Sequence, residues 1–336
     1  MRLDDIDYTL PPERIAQQPI EPRDGARLLV DRGSAPAEHR YVRDLPELLH
    51  DGDLLVVNES KVIPARLLLN RASGGAAEVL LLEALDEERR TWEAMLRPAR
   101  KLRVGEILFA GERALIEVGH RGPAGDTVVV TVLGDADPLD TLAAHGRMPL
   151  PPYITAPLEQ PDRYQTVYAA APGSSAAPTA GLHFTDDLLA RLATSGVQLA
   201  RVELIVGLDT FQPVTVDDPR NHVIHSERYR VPPGVLDRCR DAQRVVAVGT
   251  TSVRALESAA TTGESSGRTR LFIHRPYEWQ LIDVLMTNFH LPRTTLLLMI
   301  DAFVGPRWRR LYEEALANDY RFLSFGDAML LDRRAS

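Results

Sequence analysis

Between residues 65 and 150 the chain changes texture. Apolar residues there alternate in short runs, at 65–70, 77–83, 106–109, 115–118 and 127–133. Ser73-Gly74-Gly75, Gly111 and Gly122-Pro123-Ala124-Gly125 separate these runs. Strand-length segments broken by turn residues at this spacing predict a small barrel or sandwich. The stretch closes at Met148-Pro149-Leu150-Pro151-Pro152-Tyr153, a rigid linker by composition.

The flanks read in longer units. Asp53-Leu54-Leu55-Val56-Val57-Asn58 has the pattern of a buried strand. A helix over 186–194 precedes a strand over 197–206. A strand over 244–248 runs into a helix over 252–260, and one over 280–286 into a helix over 295–303. Such alternation predicts a parallel or mixed α/β layer. The expected architecture is therefore a layered α/β body, residues 1–64 and 151–336, with an all-β barrel-like domain, 65–150, inserted after its first strand. The stretch 261–267 reads as an exposed loop.

Composition narrows the function classes. Among the 336 residues, 39 basic against 47 acidic side chains give a net charge of −8, which argues against wholesale coating of nucleic acid but not against a local basic patch. The densest such patch holds Arg89, Arg90, Arg97, Arg100, Lys101 and Arg103 against Glu93; a second groups Arg307, Arg309 and Arg310 around Trp308. Charge runs are usually solvated faces, and the functional alternative is phosphate contact with a structured RNA. The single cysteine, Cys239, excludes an internal disulfide and any CxxC metal site. No apolar run approaches the roughly 18 residues of a membrane span, and the opening Met1-Arg2-Leu3-Asp4-Asp5 is too acidic for a secretory leader. A cytoplasmic protein with no membrane partner is expected.

Dinucleotide, P-loop, zinc-protease and α/β-hydrolase signatures are missing. Three strand-to-helix junctions dense in small and polar residues stand out instead. They are Pro178-Thr179-Ala180-Gly181-Leu182-His183-Phe184-Thr185, Val248-Gly249-Thr250-Thr251-Ser252-Val253-Arg254 and Thr287-Asn288-Phe289-His290-Leu291-Pro292-Arg293-Thr294. In open α/β sheets ligands sit beyond the carboxyl ends of strands, where helix N-termini present N–H groups. Three junctions on one rim point to a pocket for a polar small molecule. His222-Val223-Ile224-His225-Ser226-Glu227 has metal-like spacing, but HxxH in a loop is weak evidence, so no metal is expected. Glu227 and His225 suit hydrogen bonding or proton transfer better, the alternative being a surface loop with no role.

Taken together these segments resemble the S-adenosylmethionine:tRNA ribosyltransferase-isomerase family of queuosine biosynthesis. The resemblance runs from Ala16-Gln17 and Pro22-Arg23-Asp24 through Gly52-Asp53-Leu54-Leu55-Val56, Val62-Ile63-Pro64-Ala65-Arg66-Leu67 and Tyr164-Gln165-Thr166-Val167-Tyr168. It includes all three junctions, His225-Ser226-Glu227 and the terminal Gly326-Asp327-Ala328-Met329. It implies an α/β body with an inserted barrel, and a metal-free reaction in which S-adenosylmethionine is a co-substrate and no cofactor is bound permanently. The ribosyl unit would pass to the aminomethyl group of a 7-deazaguanine at the wobble position of the tRNA anticodon loop. Epoxyqueuosine forms, and adenine and methionine leave. A chain acting as a monomer is expected.

The chemistry then sorts the candidates. The sulfonium acidifies the C5′ hydrogens, so a base could remove one and trigger loss of adenine. His183 is the first candidate for proton transfer, with His290 and Glu227 behind it. Thr250, Thr251 and Ser252 at a helix N-terminus, with Gly249 and Arg254, would suit the methionine carboxylate. Asp283 or Asn288 would serve the ribose or the deazaguanine edge, and Thr179 and Gly181 would also bind substrate. Arg97, Arg100, Lys101 and Arg103 would meet RNA.

Some loops depart from the family pattern. Ile205 stands where relatives usually carry histidine, and Asp209 where they carry glycine; His274 to Gln280 lacks the usual lysine. Two alternatives follow: a paralogue with a small-molecule acceptor, or a catalytically silent RNA-binding relative.

Overall fold

A computed structural model describes residues 1–122, 127–207, 214–224 and 226–335. Asp209, His225 and the Pro123-Ala124-Gly125 turn lie outside the described residues. Among the described residues nine strands form one mixed sheet, in the order Ser266–Thr269, Glu227–Arg230, Gln198–Leu204, Asp53–Asn58, Arg244–Val248, Val284–Asn288, Ala328–Asp332, Arg27–Val30, Glu38–Tyr41. The four strands from Gln198–Leu204 to Val284–Asn288 run parallel, so their carboxyl ends share one rim.

Alternation along these strands divides the core between two faces. Leu54, Val56, Val245, Ala247 and Leu285 pack with Val253, Leu256, Leu297 and Leu311 of the helices Gly249–Thr262, Thr295–Val304 and Trp308–Ala317. Leu55, Val57, Val246, Val248 and Met286 pack on the other face with Leu188 and Leu192 of the helix Asp186–Thr194 and with Leu45 and Leu48. A strand covered on both sides must be apolar throughout, which is why 53–58 reads as an unbroken run.

The expected barrel is present and closed. Strands Arg66–Arg71, Ala76–Ala84, Thr91–Arg97, Val128–Val132, Arg113–Arg121 and Ile107–Ala110 pair antiparallel in that order, and Asn70 opposite Phe109 joins the last to the first. Trp92, Leu67, Val79, Val118 and Val130 fill its interior.

Several local expectations need correction. The barrel follows the third strand of the sheet in chain order, not the first, because Arg27–Val30 and Glu38–Tyr41 form its far edge. Stretch 261–267 is exposed as expected but is a loop only at 263–265: the helix continues to Thr262 and Ser266–Thr269 is an edge strand. The strand expected over 280–286 begins only at Val284. Its first residues are held elsewhere, since the buried Glu257 carboxylate accepts the backbone N–H groups of Gln280, Leu281 and Ile282. The arginines around Trp308 are half-buried and engaged within the fold. Arg307 pairs with Asp31, while Arg309 and Arg310 donate to backbone carbonyls of Asp5, Asp7, Gly33 and Ala35.

A tight turn at Gly326 sets the chain behind the rim. A Cβ there would lie 2.5 Å from the Arg321 carbonyl oxygen and 2.6 Å from that of Phe322, both backbone atoms that cannot swing away. Gly326→Ala is expected to cost about 2 kcal/mol by overpacking, read as a lowered midpoint in denaturant. An unchanged midpoint would contradict this account of the turn.

Candidate active site

The three junctions meet. Where the parallel strands end, a narrow cleft of about 600 Å³, its open mouth included, is lined by Thr179 from the first junction, Gly249, Thr250 and Thr251 from the second, and Asn288 and His290 from the third. Tyr153, Val206, Thr294, Leu296 and Ser324 also stand on the wall. No Asp, Glu, Lys or Arg stands on this lining among the described residues.

The helices behind the junctions differ at their starts. Thr185 caps Asp186–Thr194 by accepting the Leu188 N–H at 3.1 Å, and Thr294 caps Thr295–Val304 through the Leu297 N–H at 3.4 Å. Gly249–Thr262, with Val248 at its N-cap position, has no side-chain cap among the described residues. Its first-turn N–H groups therefore have no side-chain acceptor from the cap, and the positive end of the helix dipole lies behind them. Gly249 has φ +82°, a backbone state disfavoured for other residues. Thr251 Oγ1 is buried with no hydrogen-bond partner among the described residues.

Asn288 joins the first and third junctions. Its Oδ1 accepts from Thr179 Oγ1 at 3.0 Å, and its Nδ2 donates to His183 Nε2 at 3.2 Å and to the Asp327 carbonyl at 3.4 Å. His183 stands behind Asn288 and is not on the cleft lining. Burial, then the charges of Arg321, Arg163 and Arg23, pushes its imidazole down to about 4. The Asn288 amide donates to Nε2, and a backbone hydrogen bond at Arg23 engages the ring as well. Off the lining and held by Asn288 and at Arg23, His183 is a strut for Asn288, and its position makes it a poorer fit to the proton-carrier role expected of it.

His290 does line the cleft, its Nε2 3.0 Å from Thr287 Oγ1. Desolvation pushes it down to about 3, so it too is neutral. Tyr153, at the end of the proline-rich linker, reaches Ser324 Oγ at 2.7 Å beside it. Sequence reasoning misses both Tyr153 and Ser324, because only long-range packing brings them to the rim.

Other expected ligands lie elsewhere. Ser252 Oγ donates back to the Val248 carbonyl at 2.7 Å and faces its own helix. Gly181 packs under Tyr168, whose hydroxyl oxygen would be 2.1 Å from an added Cβ. Asp283 precedes the strand Val284–Asn288 at its amino end, the wrong end for the cleft, and pairs with Arg334 at 2.6 Å.

Glu227 and Arg254 form a buried ion pair on a second, wider cleft of about 2830 Å³, its mouth included, between the sheet and the barrel. Leu82, Glu83, Glu93 and Val129 supply the barrel wall; Ile205, Arg268 and Phe272 face them. Leu296 lines both clefts, so they adjoin. Arg268 Nη1 meets Glu83 Oε1 at 2.6 Å across the gap. Arg97, Arg100, Lys101 and Arg103 are exposed on the barrel, in no ion pair among the described residues. No group of three or more metal-ligating side chains gathers among the described residues, and no helix is long and apolar enough to cross a membrane.

Comparison with known proteins bears on this arrangement. A family model described as queuosine biosynthesis protein matches residues 3–331. The S-adenosylmethionine:tRNA ribosyltransferase-isomerase of Symbiobacterium thermophilum is 51% identical, covering 98% of this chain and 100% of the relative. That of Rubrobacter xylanophilus is 49% identical, covering 98% of each. Among solved structures, the S-adenosylmethionine tRNA ribosyltransferase of Thermotoga maritima is 38% identical with a TM-score of 0.55, over 97% of this chain and 99% of that one.

Proposed function

The chain belongs to the family of queuosine biosynthesis proteins, and on that ground we propose that it is an S-adenosylmethionine:tRNA ribosyltransferase-isomerase. The donor nucleoside binds in the narrow cleft, and its sugar passes to an aminomethyl-deazaguanine at the tRNA wobble position. Adenine and methionine leave, and the RNA keeps an epoxide-bearing ring. The observation that carries this reading is the uncapped helix end at Gly249, opening with the other two junctions onto one uncharged cleft.

Each part of that cleft has a task in the reaction. The N–H groups at Gly249 to Thr251 and the Thr251 hydroxyl hold the methionine carboxylate. Thr179 and Asn288 orient the ribose. A wall without formal charge leaves the sulfonium unpaired, which keeps its neighbouring C5′ hydrogens acidic. His290 is the imidazole on the lining and, neutral and so in its base form, takes that proton. The electron pair left on C5′ forms a C4′–C5′ double bond, the C4′–O4′ bond breaks, and O4′ becomes a C1′ carbonyl as the bond from C1′ to adenine breaks. The acceptor amine, uncharged, then adds at C4′ and gives up a proton, the restored C5′ carbanion bonds to the C1′ carbonyl carbon, and the oxyanion formed there displaces methionine from C5′ to close the epoxide. His183 acts through Asn288 as a positioning residue.

The division into a body, 1–64 and 151–336, and an insert, 65–150, belongs to the same proposal, with the insert as the RNA-facing part. Arg97, Arg100, Lys101 and Arg103 project from it. Replacing Arg100 and Lys101 together by Gln is expected to weaken tRNA binding. It should also flatten the salt dependence of that binding by about 0.7–0.9 log units for each phosphate no longer neutralised. The KM for S-adenosylmethionine stays unchanged. An unaltered salt slope would remove these residues from the RNA path.

The direct test of function is adenine release from S-adenosylmethionine. It should require tRNA bearing the aminomethyl-deazaguanine and stop when that base is an ordinary guanine. Release driven by the free base alone would favour a small-molecule acceptor, and no release with either would leave a silent relative.

A further inference from the structure

The helix Gly249–Thr262 presents its first residues to the narrow cleft, but one turn later it carries Arg254 into the wall of the wide one. Arg254 is only 6% exposed. Its Nη1 is engaged by Glu227. Its Nε and Nη2, which point along the other edge of the guanidinium, have no hydrogen-bond partner among the described residues. Two parallel N–H groups on one edge match two oxygens of a single oxyanion. Buried donors left unfilled are costly, so an arginine held this way is built for an occupant.

Carboxylate and phosphodiester share that chemistry, and three observations favour the phosphodiester. Arg254 is not on the narrow cleft, where the uncapped helix end already serves the donor's carboxylate. The wide cleft is several times larger and has the barrel as one wall. Finally, the strand Thr91–Arg97 turns Trp92, Ala94 and Leu96 inward, which leaves Glu93, Met95 and Arg97 on one outward face. Glu93 lines the wide cleft, so that face leads from the cleft to Arg97 and onward to Arg100, Lys101 and Arg103. A polyanion can follow it inward. A base stacked within the anticodon loop cannot reach a buried wall, so the nucleotide must swing out. Phe272 on the opposite wall offers it an aromatic surface.

We infer that the wide cleft receives the acceptor nucleotide, swung out of its RNA, and that the Nε–Nη2 edge of Arg254, oriented by Glu227, grips a phosphodiester of that nucleotide. The shared wall at Leu296 then sets the acceptor beside the donor. This rests on the proposed RNA acceptor but adds where it sits and what holds it.

The test measures two affinities separately, by titration without turnover. The ligands are S-adenosylmethionine alone and an anticodon stem-loop RNA carrying the aminomethyl-deazaguanine. The proteins are the wild type, Arg254→Lys, which keeps a charge for Glu227 but lacks the two-donor edge, and the charge-balanced double variant Glu227→Gln with Arg254→Gln. Both substitutions should weaken the RNA by roughly 10- to 100-fold and leave S-adenosylmethionine within about twofold. Should the double variant fail to fold, Arg254→Lys decides alone. Loss of S-adenosylmethionine affinity with RNA binding intact would reassign Arg254 to the donor carboxylate and overturn the inference, as would unchanged RNA affinity. Wild-type adenine release reports on the parent reading by itself: its absence beside a falling RNA affinity would sink the reaction and leave the cleft assignment standing.

Discussion

Asn288→Leu is expected to lower adenine release about 100-fold and to destabilise the fold as well. The side chain accepts from Thr179 and donates to His183 and to the Asp327 carbonyl, all at the buried rim. Leucine fills similar volume but satisfies none of these partners, and each buried group left unpaired costs roughly 1–3 kcal/mol. Thr179 would then lose its fixed rotamer, and a misplacement of about 1 Å at a reacting centre costs on the order of 100-fold. Turnover under saturating substrates and a denaturant midpoint read the two effects apart. Asn288→Asp should keep more stability than Asn288→Leu, since it still accepts from Thr179. Full turnover in the leucine variant would remove Asn288 from the site.

Acid should weaken this protein earlier than carboxylate titration alone would. His183 and His290 are held neutral by burial, at about 4 and about 3 against an ordinary 6.5. The unfolded chain therefore binds protons that the fold refuses. The stability associated with the neutral rings is complete above pH 6.5 and is lost as pH falls from there toward the folded values. By pH 5 the loss reaches about 2 kcal/mol per histidine. Denaturant midpoints at pH 7.5, 6 and 5 should fall steadily, and His290→Gln should flatten the slope. A midpoint constant from pH 7.5 to 5 would contradict the burial account.

Much of this architecture is legible in local pattern, and where pattern fails the causes are physical. Strand 53–58 and helix 186–194 can be read because burial on two faces, or one stripe with a Thr185 cap, writes itself into neighbouring residues. The strand Thr91–Arg97 is masked by the basic residues that flank it in sequence, Arg89, Arg90, Arg97 and Arg100, though Trp92, Ala94 and Leu96 alternate within it. Pattern alone places strand 284–288 too early, because nothing near Gln280 announces that Glu257, far back in the chain, takes its backbone N–H groups. That displacement also carries Asp283 into the expected site, when it lies at the opposite end of the strand.

The junction motifs point to the right rim but not to the direction of each side chain. Thr250, Thr251 and Asn288 line the cleft. Ser252, one residue on, turns into its helix, and Arg254 faces a different cleft. Helical rotation of about 100° per residue separates such neighbours, and only the packed helix fixes where the rotation starts.

One measurement bears on the central claim that the donor gives up its sugar. S-adenosylmethionine labelled in the ribose, and separately in the methyl group, is incubated with the protein and tRNA bearing the aminomethyl-deazaguanine. The account predicts ribose label in the RNA and methyl label only in free methionine. Methyl label in the RNA, with the ribose retained in released nucleoside, would contradict it.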